Sequence, residues 1–230
     1  MVHTPTVQAR PTSPATVAFI IAAAATAIAG AVLMFGVQPI TDLSDDMWRY
    51  PWSSSGAFVA FSILSALIHG LVIVGLLGFG RSGAAGRSRT AASGVTLAVT
   101  GTALLLVGEL ASIPIRDAAV DDTAAVVVGA IFGIASVAST VGFLLAGLAT
   151  LRAGVWHGWH RYTPLATGLW LVVLTPLGLA APTLLHGGVG IYGLCLLAMA
   201  IALYAEPTPA ASFESAGAAI PGAKPQLERA

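Results

Sequence analysis

Residues 123–151 read TAAVVVGAIFGIASVASTVGFLLAGLATL, twenty-nine residues without a single charge. A helix rises about 1.5 Å per residue, so about 20 apolar residues carry it across the ~30 Å hydrocarbon core of a bilayer. The stretch also holds Gly129, Gly133, Ala135, Ser139 and Gly142. Small residues of this kind let helix backbones approach closely where lipid offers no hydrophobic drive for association. The segment is therefore expected to form a transmembrane helix over about 124–150.

Working outward, the same pattern recurs. Thirty-one uncharged residues between Arg10 and Asp42 predict a helix at about 15–38, and thirty-one between Arg49 and Arg81 predict another at about 57–80. A third, at about 93–115, continues past Glu109. The last run, Tyr162 to Ala205, is 44 residues long and accommodates two helices, at about 164–181 and 186–205. Pro182 and the His186-Gly187-Gly188 triplet supply the breakers for the turn between them. The fold expected is all-α, a six-transmembrane-helix bundle over 15–205, with disordered tails at 1–14 and 206–230. The first helix is longer than a signal-peptide apolar region, and only Arg10 precedes it, so it is read as retained.

Composition agrees. Charged residues make up 9% of the chain and hydrophobic ones 57%, with a mean hydropathy of +0.88, whereas soluble domains carry about a quarter charged residues. A formal net charge of zero gives no electrostatic case for nucleic acid as a partner. Cys195 is the one cysteine, which rules out an internal disulfide, a CxxC pair or an all-cysteine metal site.

Polarity follows from the distribution of basic residues. With both termini cytoplasmic, the inner segments hold Arg10, Arg81, Arg87, Arg89, Arg152, Arg161, Lys224 and Arg229, and the outer loops hold only Arg49 and Arg116. Asp42, Asp45, Asp46, Asp117, Asp121 and Asp122 fall on the outer side. Aromatic residues cluster at both interfaces: Trp48, Tyr50 and Trp52 outside, Trp156, Trp159 and Tyr162 inside. The segment Thr41–Trp52 is expected to form a short interfacial helix capped by Asp42 or Ser44. Gly94, Gly101 and Gly108 recur every seven residues and fall on one face, so helices 3 and 4 are expected near the middle of the bundle. Pro176 with Gly178 is expected to kink helix 5.

Ionisable residues within a span are functional candidates, because burying them in hydrocarbon is costly. Glu109, His69 and His186 qualify. Glu109, near the outer surface, reads either as a protonatable site or cation ligand, or as a structural or snorkelling carboxyl. His69, near the middle of helix 2, reads as a proton relay, haem ligand or quinone contact, or as a neutral imidazole bonded to a neighbouring helix. His186, in the outer turn, is either solvated or paired with Glu109. His157 and His160 stand three apart, but Gly158 between them disfavours the helix a metal pair would need, and an aromatic, basic anchor for anionic lipid is the better reading. GxSxG, HExxH, Walker A and GxGxxG motifs are all absent, so no catalytic residue, metal or cofactor is assigned.

The segment Leu151–Trp170, with Ala66-Leu67-Ile68-His69-Gly70 and Gly108-Glu109-Leu110, resembles small polytopic membrane proteins common in high-GC Gram-positive bacteria. That resemblance implies the topology and a bacterial cytoplasmic membrane, and brings no activity. The leading functional expectation is a non-enzymatic accessory or interaction subunit, or a binder of a lipid-like ligand. Its partners would be the lipid bilayer and a partner membrane subunit or second copy, held through the small-residue helix faces. A small proton-coupled transporter titrating at Glu109 is the alternative. A membrane-embedded enzyme or electron carrier is the third reading.

Overall fold

The computed structural model describes residues 13–206, so the tails expected to be disordered lie almost wholly outside the described residues. Six helices follow in chain order: α1 (Pro14–Val32), α2 (Ser55–Arg81), α3 (Arg89–Ser112), α4 (Thr123–Ala153), α5 (Thr163–Ala180) and α6 (Pro182–Ala205). Serine starts three of them. Ser13, Ser54 and Ser88 each accept a hydrogen bond from the backbone N–H three residues on, satisfying a donor that the first helical turn leaves free. The run of α1 continues through a π-helical turn, Leu33–Val37, and a 3-10 turn, Gln38–Ile40. Pro39 has no N–H to give the carbonyl four residues back, so a regular helix cannot pass it. At the other end of α4, Gly154 takes a left-handed φ of 63° and closes the helix.

Five segments are long and apolar enough to cross a membrane: Pro14–Ile40, Ser55–Arg81, Arg89–Ser112, Thr123–Ala153 and Thr183–Ala205. The remaining helix, α5, has 18 residues and reaches about 27 Å. No strand occurs among the described residues; one isolated antiparallel bridge joins Met47 to Ala119.

Three expectations change. The turn between the last two helices is a single residue, Ala181, and His186-Gly187-Gly188 lies inside α6. Proline at the first position of α6 starts that helix four residues early, since its missing N–H would be unbonded there in any case. Thr41–Trp52 forms turns rather than an interfacial helix, because its backbone pairs across to the α3–α4 loop. Trp48 donates its N–H to the Ala118 carbonyl at 3.0 Å, and Val120 donates to Asp46 at 2.8 Å.

Nor are α3 and α4 central. Each helix packs on its sequence neighbours, and α1 meets α6, so the six close into a ring. Within that ring α3 and α4 form the most intimate pair. Gly94 faces Ala146, Ala98 faces Gly142, Gly101 faces Ser139 and Gly108 faces Phe132. Steps of seven on α3 are thus matched by steps of seven on α4. A β-carbon at Gly94 would lie 2.5 Å from the Ala146 amide nitrogen, so only glycine permits this approach. Gly193 against Ala27 and Gly30 against Gly190 do the same for α6 and α1.

One glycine of α4 stands apart: a β-carbon at Gly133 would meet nothing within 4 Å. Gly142→Val is accordingly expected to destabilise the protein by about 1–3 kcal/mol or more through overpacking. Gly133→Ala should leave it unchanged or gain up to about 1 kcal/mol of helix propensity. Thermal melts of both variants in mild detergent check the contrast.

Candidate functional site

Along α2, Phe58, Ser62, Ser65, Val72, Leu76 and Phe79 are buried. Their spacing of four and three leaves one position between Ser65 and Val72, and His69 fills it. The stripe lines the inside of the ring. Toward the end carrying Arg81 it is filled by aromatic and aliphatic groups: Leu76 and Phe79 are 1% exposed, alongside fully buried Phe19, Leu196 and Met199. Phe143 packs edge-on against Tyr192, with ring centres 6.4 Å apart. Toward the other end the same stripe turns polar, with Ser62, Ser65 and His69.

Glu109 lies on α3 seven residues beyond Thr102, which is fully buried, so the two share a face. Thr102 donates to the Ala98 carbonyl at 2.8 Å, and Ser112 donates to the Gly108 carbonyl at 2.9 Å. These bonds use the hydroxyls locally. Gly70 on α2 approaches Leu106 on α3, which sets His69 near the level of Leu106 and about three residues, or roughly 4.5 Å, from Glu109 in depth. Glu109 is partly buried and makes no hydrogen bond or ion pair with another described residue. The buried Nδ1 of His69 has no hydrogen-bond partner among the described residues. Both residues therefore face the ring rather than lipid.

His186 sits apart from them. It belongs to the α6 face that meets α1, where its backbone carbonyl lies against Gly30, and its buried Nδ1 has no partner. The Glu109–His186 pair does not form, because moving His186 from a flexible turn into α6 commits it to the α1 side. Beside it is a residue that the sequence did not single out: Gln38 donates from Nε2 to the Thr183 carbonyl at 2.9 Å, tying the end of α1 to the start of α6. A polar residue before a proline carries no sign of a partner 145 positions away.

The acid-rich end is held by a clasp. Arg49 bonds both Asp117 and Ser55, Ser55 donates to Asp117 at 2.9 Å, and Arg116 reaches Asp117 at 3.4 Å. Trp48 packs on Phe132 and Trp52 on Phe61, with ring centres 6.5 and 5.1 Å apart. Trp48, Tyr50 and Trp52 are all partly buried, so these aromatics lean on the bundle.

At the arginine-rich end, Trp156 is 3% exposed and stands edge-on to Phe79, ring centres 5.4 Å apart. It is a core residue and not the interfacial anchor expected of it. An indole at the foot of the ring can cover more apolar area by turning inward than by lying in the headgroups. Trp159 and Tyr162 are 53% and 46% exposed. His160 bonds Glu206 through Nδ1 at 2.7 Å, and the His157 amide donates to the same carboxyl oxygen at 3.1 Å. This latch fastens the end of α6 to the α4–α5 loop. Among the described residues no group of three His, Cys, Asp or Glu side chains could hold a metal ion.

Comparison with protein-family models, curated proteins and solved structures finds no match to this chain.

The Glu206 latch has a pH signature. Partial burial raises the pKa of its carboxyl, but the His160 and His157 hydrogen bonds and the nearby imidazole charge outweigh this and hold it below the ordinary glutamate value. A depressed carboxyl contributes stability above its unfolded pKa of about 4.3 and loses it as pH falls through the folded value. Acidification through and below the ordinary glutamate range is expected to free Trp159, which stands edge-on to His160 with ring centres 4.3 Å apart. Glu206→Gln should abolish that step in a tryptophan fluorescence titration.

Proposed function

We propose that the chain is a multi-pass protein of a bacterial cytoplasmic membrane, with α5 as a sixth, shorter crossing and both termini cytoplasmic. Its role in this reading is non-enzymatic: it holds a lipid-like ligand against the outward side of α3 and α4. The supporting observation is an open, apolar groove of about 590 Å³ lined by Leu97, Ala130, Gly133, Ile134, Val137 and Val141. Glycine inside a helix costs about 1 kcal/mol relative to alanine. Gly94, Gly101, Gly142 and Gly147 repay that cost by letting another helix approach, whereas a β-carbon at Gly133 would meet nothing within 4 Å. What its missing side chain creates is the floor of the groove. Gly133 lies ten residues from the start of α4, about 15 Å into the bilayer, at a depth where acyl chains are the neighbours.

The test is to fill the groove. Gly133→Leu is expected to fold and to lose most of the lipid that co-purifies in mild detergent, as read by native mass spectrometry. A photoreactive residue at Val137 should label lipid in native membranes. If it labels a protein band instead, and Gly133→Leu removes that band, the lipid reading fails and a docked partner helix takes its place.

The unpaired Glu109 and the neighbouring His69 on the ring's interior favour a second reading, a proton-coupled carrier whose titrating group is Glu109. Vesicles loaded with a pH-sensitive dye and given an imposed proton gradient should then dissipate it faster with the wild-type protein than with Glu109→Gln. Equal rates would sink this reading.

A further inference from the structure

The arginines at the two ends of the bundle are in different situations. Arg49 and Arg116 both bridge Asp117. At the other end Arg81, Arg87, Arg89, Arg152 and Arg161 are all exposed, and none has a carboxylate within 4.0 Å among the described residues. Three of these five come to one level. The α3–α4 register that pairs Gly94 with Ala146 carries Arg87 and Arg89, one on each side of the N-cap Ser88, to the level of residues 151–153. Gly86 confirms it by packing on Ala153, whose β-carbon would lie 3.1 Å from one added at Gly86. Arg152 therefore lies at the same depth as Arg87 and Arg89, at the foot of the α3–α4 seam. The loop presenting them is seated, with Ala84 and Ala85 only 0% and 4% exposed.

The same seam leads into the groove. Arg152 is eleven residues beyond Val141, and Val141 is eleven beyond Ala130. Eleven residues make just over three whole turns, so all three lie close to one line of α4. From Val141 to Ala130 the line runs about 16 Å, and from Val141 to Arg152 about as far again toward the membrane surface. An apolar groove about 16 Å long, with three unneutralised guanidinium groups a similar distance beyond its Val141 end, fits a diacyl lipid with an anionic head.

We propose that Arg87, Arg89 and Arg152 form a headgroup site for an anionic phospholipid of the cytoplasmic leaflet, one of whose acyl chains lies in the α3–α4 groove. Guanidinium groups bind phosphate oxygens in bidentate pairs, and an anionic head adds attraction that a zwitterionic one cancels within itself. The inference rests on the lipid-binding reading above and adds the class of lipid.

The full chain, delipidated in detergent, is titrated with phosphatidylglycerol and with phosphatidylcholine of the same acyl length, and bound lipid is counted by native mass spectrometry. Phosphatidylglycerol is expected to bind at least tenfold more tightly. The double variant Arg89→Gln/Arg152→Gln should bring it down to the phosphatidylcholine level without changing phosphatidylcholine binding. Arg161→Gln, equally exposed but away from the seam, should leave the preference intact. Inorganic phosphate at millimolar concentration should not displace the lipid; if it does, the site is one for free phosphate and the proposal is overturned. Equal binding of the two lipids by the wild-type protein overturns the headgroup site. The groove reading survives that result if Gly133→Leu lowers both, and fails separately if Gly133→Leu lowers neither. An equal loss of preference in Arg161→Gln would show diffuse charge and would also overturn the site.

Discussion

The backbone contact between α3 and α4 organises much of this protein. Within hydrocarbon, helices gain nothing by hiding apolar side chains from lipid that is equally apolar, so association depends on close packing. Gly94, Gly101 and Gly142 remove the side chains that would keep the two backbones apart. Once that register is set, much else follows from it. Thr102 and Glu109 turn to the inside of the ring, the line from Ala130 to Arg152 turns outward, and the arginines at the foot of α3 come level with the end of α4.

The ring is chemically divided along its axis. Near the arginines it is closed by Phe19, Phe79, Phe143, Leu196 and Met199, with Trp156 beneath them as a plug. Near the acidic loops the lining is Ser62, Ser65, His69 and Glu109. The loops differ in the same sense. Asp117 gathers Arg49, Arg116 and Ser55 into a clasp that stitches the two acid-rich loops together, whereas the opposite loops are seated by apolar burial and leave their cations uncovered. The interior polar groups and the outward groove are separate features, which is why a carrier and a lipid binder are separable readings of one bundle.

Comparison of particular residues shows how far sequence reasoning reaches. The seven-residue spacing of Gly94, Gly101 and Gly108 correctly announced one packing face, since periodicity is a property of the helix itself. It could not say that the ring would close through α1 and α6, and so it misplaced α3 and α4 at the centre. Trp156 and Trp159 are three residues apart in the same aromatic, basic run, yet one is core and the other exposed. Composition treats them alike, and only the position of Phe79 separates them. His186 was read into a turn because two glycines follow it, but neighbouring helices need those glycines for contact: Gly187 meets Met34, and Gly188 meets Leu174.

The sequence by itself determined an all-helical membrane architecture, the approximate bounds of each helix and the segregation of charge between its two ends. Those are local properties, set by the length of apolar runs, by serine caps and by where arginines interrupt them. Only the tertiary structure decided that Glu109 and His69 share the inside of a ring, that His186 does not join them, and that Arg87, Arg89 and Arg152 come to one level at the foot of α3 and α4. Each of these depends on the register between helices far apart in the chain, and register is fixed by which backbones can touch.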